Sequence, residues 1–137
     1  MAVVVRFFEG YIRNSKKLIS ELGIEDTGLS VIEHTIIREG YSRWGHDLPD
    51  HLYGAFSFVL YDENEDEIFC ARDPFGISRL FYYSNGSDFI YSPDINTIVN
   101  DKRYRKEIDE EVLLYYTMFG YPVGMKTIFK GINKLMP

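Results

Sequence analysis

Ala71-Arg72-Asp73-Pro74-Phe75-Gly76-Ile77-Ser78-Arg79-Leu80-Phe81-Tyr82-Tyr83 joins two strand-like runs through a turn whose chemistry is explicit. Upstream, Glu67-Ile68-Phe69-Cys70-Ala71 is a short apolar run, and downstream Leu80-Phe81-Tyr82-Tyr83 is rich in aromatic strand formers. Asp73-Pro74 pushes the residue before proline into extended or turn geometry, and Gly76 accepts the positive φ of a tight reversal. On turn rules alone the stretch is a β-hairpin corner in a folded sheet.

Working outward, Gly54-Ala55-Phe56-Ser57-Phe58-Val59-Leu60-Tyr61 reads as a strand, with Ala55, Ser57 and Val59 on one face and Phe56, Phe58 and Leu60 on the other. A charged loop, Asp62-Glu63-Asn64-Glu65-Asp66, leads to the strand through Cys70. Beyond the corner come a strand from Arg79 to Tyr83, an Asn85-Gly86 turn and Phe89-Ile90-Tyr91, which together predict a four-stranded antiparallel meander. At the start, Val3-Val4-Val5-Arg6-Phe7-Phe8 predicts a strand buried on both faces and ended by Glu9-Gly10. Asn14 or Ser15 caps a helix that Gly23 closes, and a second helix is predicted from about Ser30 to Trp44. Leu48 to Leu52 is a short helical link. Ser92 and Pro93 signal a further helix start, and Asp109 to Phe119 forms a helix with acidic residues in its first turn, broken by Gly120 to Gly124.

The 137 residues suit one domain, and 45% hydrophobic with 16% aromatic residues excludes disorder and favours a β-containing globule, which with the predicted helices makes an α+β domain. A formal charge of −6 argues against nucleic acid and anionic membranes as partners, because both reward clustered Lys and Arg. The basic run Lys102 to Lys106 is flanked by Asp101 and Glu107 and reads as a solvated linker. One cysteine, Cys70, excludes an internal disulfide framework and fits a reducing cytoplasm; its apolar neighbours give it a structural role. No glycine-rich phosphate loop, no paired Cys or His with metal spacing and no serine elbow is present, and His34, His46 and His51 are scattered. The residues by themselves predict no metal site and no catalytic constellation.

Trp44-Gly45-His46-Asp47-Leu48-Pro49, Leu52-Tyr53-Gly54-Ala55-Phe56-Ser57-Phe58, and Ala71 to Ile77 with Leu80-Phe81-Tyr82-Tyr83 stand in an order and spacing that resembles the glutaminase domain of glutamine-hydrolysing asparagine synthetases. Phe119-Gly120-Tyr121 and Thr127 to Leu135 resemble the segment by which that family leaves the glutaminase domain for its ATP-using synthetase domain, so residues 100–137 are the expected exit segment. The resemblance implies a class II glutamine amidotransferase with the N-terminal-nucleophile αββα sandwich, antiparallel sheets packed with helices, here incomplete. In that family a cysteine at the chain start, assisted by its own α-amine, attacks the glutamine amide while oxyanion donors stabilise the intermediate.

Carried over by residue, the resemblance implies lost hydrolysis. Removal of Met1 would leave Ala2, which has no nucleophilic atom, and the match begins inside the family domain, so the opening strands are expected to be missing. The family's Asn-Gly-Glu strand end falls on Glu9-Gly10-Tyr11, followed by Ile12 and Asn14. Glu9 puts a carboxylate where an amide should donate, Tyr11 replaces the acid that recognises the substrate ammonium, and the substrate-binding Asp falls near Glu33. Loss of one oxyanion donor alone costs about 10²–10³ in rate. The expected sites are therefore a degenerate glutamine pocket of Glu9, Gly10, Tyr11 and Glu33, a scaffold motif of Arg72, Asp73, Pro74, Phe75 and Gly76, and no catalytic residue.

The function so implied is a non-catalytic amidotransferase-like domain that packs with or regulates an ATP-dependent amide-forming synthetase. One alternative is a fragment of an active glutamine-hydrolysing asparagine synthetase that supplies ammonia; another is an amino-acid or peptide binding module. No cofactor is expected in the chain itself, with ATP and Mg²⁺ confined to the synthetase partner. The expected setting is cytoplasmic, with a homodimer or the partner covering the exposed sheet face.

Overall fold

Strand β2 (Gly54–Asp62) is the centre of the first sheet, because six successive residues, Ala55 to Leu60, are buried on both of its faces. The computed structural model describes residues 3–25, 32–121 and 124–137. β1 (Val3–Ile12) and β3 (Glu67–Arg72) flank β2 in an antiparallel sheet of order β1-β2-β3. Helix α1 (Ser15–Leu22) ends at Gly23 in the left-handed conformation, and α2 (Ile32–Trp44) runs on into a 3₁₀ turn (Gly45–Asp47) and the short α3 (Leu48–His51). Phe56, Phe58 and Leu60 form one core with Leu18, Ile36, Ile37, Tyr41, Leu48 and Leu52. Gly40 leaves the room that Leu48 and Trp44 occupy, since a Cβ there would stand 2.6 Å from the Leu48 Cδ1.

The second sheet has order β5-β4-β6, built from β4 (Phe81–Ser84), β5 (Phe89–Ser92) and β6 (Ile132–Lys134). The Asn85 side chain accepts the amides of Ser87 and Asp88 and forms the β4–β5 turn that Asn85-Gly86 predicts. Ile90, Ile98, Tyr104 and Ile132 make this part's core, joined by α4 (Ile95–Val99); α5 (Glu110–Phe119) is capped by the Asp109 carboxylate. Tyr104 anchors the basic linker by donating its hydroxyl hydrogen to the Lys130 carbonyl at 2.9 Å, and Asp101 pairs with Arg103. By its contacts the chain divides into two units, Met1–Ser78 with Pro137, and Arg79–Met136.

Several expectations are corrected. There is no four-stranded meander: β3 and β4 belong to different sheets, so the stretch from Ala71 to Tyr83 is a connection and not a hairpin corner. β1 does not stop at Glu9-Gly10 but runs to Ile12, because Ser57, Phe56 and Ala55 continue to pair with Glu9, Gly10 and Tyr11. Its residues between Val3 and Ile12 are half-buried or exposed, as befits a strand with only β2 beside it among the described residues. β4 starts at Phe81 and not at Arg79. The α4 cap is Asp94, whose carboxylate accepts the Asn96 amide, while Ser92 is held in β5 opposite Phe81 and accepts the Asp94 amide. The expected helix start at Ser30, the residue Ala2, and Pro122 and Val123 within the predicted break lie outside the described residues. No helix among the described residues is long and apolar enough to cross a membrane.

Candidate functional site

The end of β1 carries Glu9, Gly10 and Tyr11, all exposed. Gly10 has φ +105°, and a Cβ there would lie 2.0 Å from the Ala55 carbonyl oxygen; across the ladder, a Cβ on Gly54 would meet the Tyr11 carbonyl at 2.2 Å. Glycine is therefore required on both strands for β1 and β2 to approach so closely at this end. Arg13 continues the contact by donating its amide to the Tyr53 carbonyl at 2.6 Å.

Asn14 then fastens the strand end to the segment before β2. Its Nδ2 donates to the His51 carbonyl at 2.9 Å, and its Oδ1 accepts the Tyr53 amide at 3.0 Å. Though Asn14 occupies the cap position of α1, its side chain makes no cap bond there. His51 in turn stacks on Trp44 with centroids 4.0 Å apart and planes 9° from parallel. The sequence places Asn14 at the helix start and does not reveal this clasp; the one signal for it is the amide's separate donor and acceptor atoms, which let it bond two backbone groups at once.

Glu33 stands half-buried in the first turn of α2. Among the described residues no side-chain hydrogen bond or ion pair joins it to Glu9 or Tyr11. Cys70 is half-buried in β3 opposite Val59, and burial pushes its thiol up to about 12, so it stays protonated near neutrality. Nothing here activates it as a nucleophile. Among the described residues no group of three or more His, Cys, Asp or Glu is placed to hold a metal ion.

The Arg72 to Ser78 stretch is a loop built around a buried carboxylate. Asp73 is fully buried, and its two oxygens accept the amides of Phe75 at 3.1 Å, Ile77 at 3.0 Å and Ser78 at 2.9 Å. Burial by itself would raise the Asp73 carboxyl; the backbone donors of Ile77, Ser78, Phe56 and Phe75 outweigh it and hold the group below the usual carboxylate range. Arg72 braces the other side, donating Nε to the Ser78 carbonyl at 2.7 Å and Nη2 to the Gly76 carbonyl. Gly76 has φ +63°, and a Cβ would come 2.9 Å from the Arg72 Nη2, so both backbone conformation and space select glycine. The Asp73 amide is tied to the Phe56 carbonyl at 2.8 Å, and the Ser57 and Ser78 hydroxyls meet at 3.1 Å, which fixes the loop to β2.

Over residues 2–137 the chain matches the family described as glutamine amidotransferase domain. The chain belongs to this family. The amidotransferase domain is 31% identical over 136 residues to the putative asparagine synthetase [glutamine-hydrolyzing] of Mycobacterium tuberculosis (strain ATCC 25618 / H37Rv), covering 96% of this chain and 21% of that protein. It is 30% identical over 132 residues to asparagine synthetase [glutamine-hydrolyzing] 3 of Bacillus subtilis (strain 168), and 27% identical over 137 residues to the putative asparagine synthetase [glutamine-hydrolyzing] 2 of Methanocaldococcus jannaschii. The chain spans 21 to 26% of the length of these relatives, and what it matches in them is their amidotransferase part. The resemblance drawn from the motifs and the α+β class with two antiparallel sheets are both borne out.

Proposed function

We propose that this amidotransferase domain does not hydrolyse glutamine and instead serves an ATP-dependent, amide-forming synthetase as a packing or regulatory domain. The observation that carries the reading is Glu9: a carboxylate-bearing residue sits at the exposed end of β1, beside the obligatory Gly10, where the family resemblance calls for an amide donor. A tetrahedral oxyanion forming there would face a carboxylate in place of a hydrogen-bond donor. Support also comes from Tyr11, which brings no charge to a substrate ammonium, and from Cys70, the only thiol of the sequence, which burial keeps protonated. In this reading Glu9, Gly10, Tyr11 and Glu33 line a degenerate glutamine pocket, ATP and Mg²⁺ belong to the synthetase partner, and the setting is the cytoplasm.

The test is ammonia release from glutamine by the purified protein. No release above a heat-inactivated control is expected. Release that disappears in Glu9→Ala or Cys70→Ala overturns the proposal.

A second reading, a segment of an active glutamine-hydrolysing synthetase, is favoured by the strand end itself, whose close approach at Gly10 and clasp by Asn14 hold the backbone in order. It predicts heat on calorimetric titration with glutamine. An amino-acid binding module predicts heat with glutamine or asparagine but no ammonia.

A further inference from the structure

The braced loop presents apolar side chains to solvent. Phe75 is 85% exposed, the highest value among the large apolar residues described, and Ile77 is 65% exposed. Their backbone is held in place from within by the buried Asp73 carboxylate and the Arg72 guanidinium, so the tip is ordered without any burial of its own side chains. A loop that only closed a turn would not need two large apolar groups there, and order before contact lowers the cost of binding. The ring of Pro137 stands beside the same loop, its Cγ 3.2 Å from where a Gly76 Cβ would be. Any polypeptide joined beyond Pro137 departs next to Phe75 and Ile77. The relatives carry about four-fifths of their length outside the matched part, which makes a large neighbour at that exit the natural occupant.

We propose that Phe75 and Ile77 form a preorganised apolar knob that docks into the ATP-dependent synthetase domain, whether that domain is joined in the same polypeptide or supplied by another. This rests on the proposed partnership with a synthetase, but not on the absence of glutamine hydrolysis. The occupant is a globular surface with an apolar recess and no charge at its floor, since neither side chain can pair with one.

The experiment places a photo-crosslinking benzophenone side chain at Phe75, in the gene expressed in its natural host, with the same side chain at Asp66 in the β2–β3 turn as control. Crosslinked peptides are identified by mass spectrometry. The expected result is a Phe75 adduct to a peptide of an ATP-dependent synthetase domain, in the same or a second chain, at least about tenfold over the Asp66 control. Adducts to a second copy of this amidotransferase segment, or none above the control, overturn the proposal. Separately, the exposed double variant Phe75→Ser/Ile77→Ser keeps the thermal midpoint of the parent, because the Asp73 brace is untouched, while its association with the synthetase domain weakens about tenfold or more. Unchanged association also overturns it. Ammonia release from glutamine with a positive crosslink would refute the non-catalytic reading and leave this docking intact.

Discussion

Replacing Asp73 by Ala removes the acceptor that organises the loop between β3 and β4. Three backbone amides, of Phe75, Ile77 and Ser78, point at its oxygens within 3.1 Å, and the side chain is fully buried. Hydrogen bonds to a charged group contribute about 1.5–3 kcal/mol each, but three that share one carboxylate are not additive and water can reach part of an opened loop, so Asp73→Ala should cost about 3–4 kcal/mol. Asp73→Asn keeps the volume and one oxygen but turns a nitrogen toward the amides, and should cost about 2 kcal/mol. Urea unfolding followed by circular dichroism gives the magnitude, and hydrogen exchange of the three amides gives the location. The lowered carboxyl also fixes a pH dependence. Its stabilising contribution is complete above the unfolded value of about 3.9 and is lost as pH falls through the lower folded value, so the gap between parent and Asp73→Asn narrows in acid. A cost below about 1 kcal/mol, or amides at 75, 77 and 78 that stay as protected as in the parent, refutes the assignment of the brace to Asp73.

Gly10→Ala forces a Cβ to 2.0 Å from the Ala55 carbonyl at φ +105°, and should cost about 3 kcal/mol or more in urea unfolding through separation of β1 from β2. Asn14→Ala loses the bonds to the His51 carbonyl and Tyr53 amide and should cost about 1–2 kcal/mol, whereas Asn14→Asp, which keeps only the acceptor, should fall between it and the parent. Cys70 should resist iodoacetamide in the folded protein at pH 8 and react fully in urea, read by mass spectrometry; rapid native alkylation would contradict a thiol held near 12.

The elements that the sequence made legible are those fixed by local chemistry. Gly23 ends α1, Asn85 turns β4 into β5 and Asp109 caps α5, because each uses groups within a few residues of itself. Sheet membership was not legible, since the same Asp-Pro and Gly signals serve a hairpin and a loop that leaves one sheet for another, and only the pairing partner decides. The extent of β1 was likewise set by β2, which goes on pairing past Gly10. Of the candidate site, the family and the Glu9-Gly10-Tyr11 strand end came from motif order. The clasp of Asn14 did not, because its partners are 37 and 39 residues away; the Asp73 brace did not either, although its amides lie two to five residues on, because Asp73-Pro74 with Gly76 reads equally well as a simple turn.

The central proposal is that Glu9 at the strand end, with the half-buried and protonated Cys70 thiol, leaves this amidotransferase domain without glutamine hydrolysis. Ammonia release from glutamine, measured side by side for the protein expressed from its own gene and for Bacillus subtilis asparagine synthetase [glutamine-hydrolyzing] 3, tests it most directly. The account predicts release from the relative and none above background from this protein. Release within about tenfold of the relative, far above the loss of about 10²–10³ assigned to a missing oxyanion donor, would contradict it.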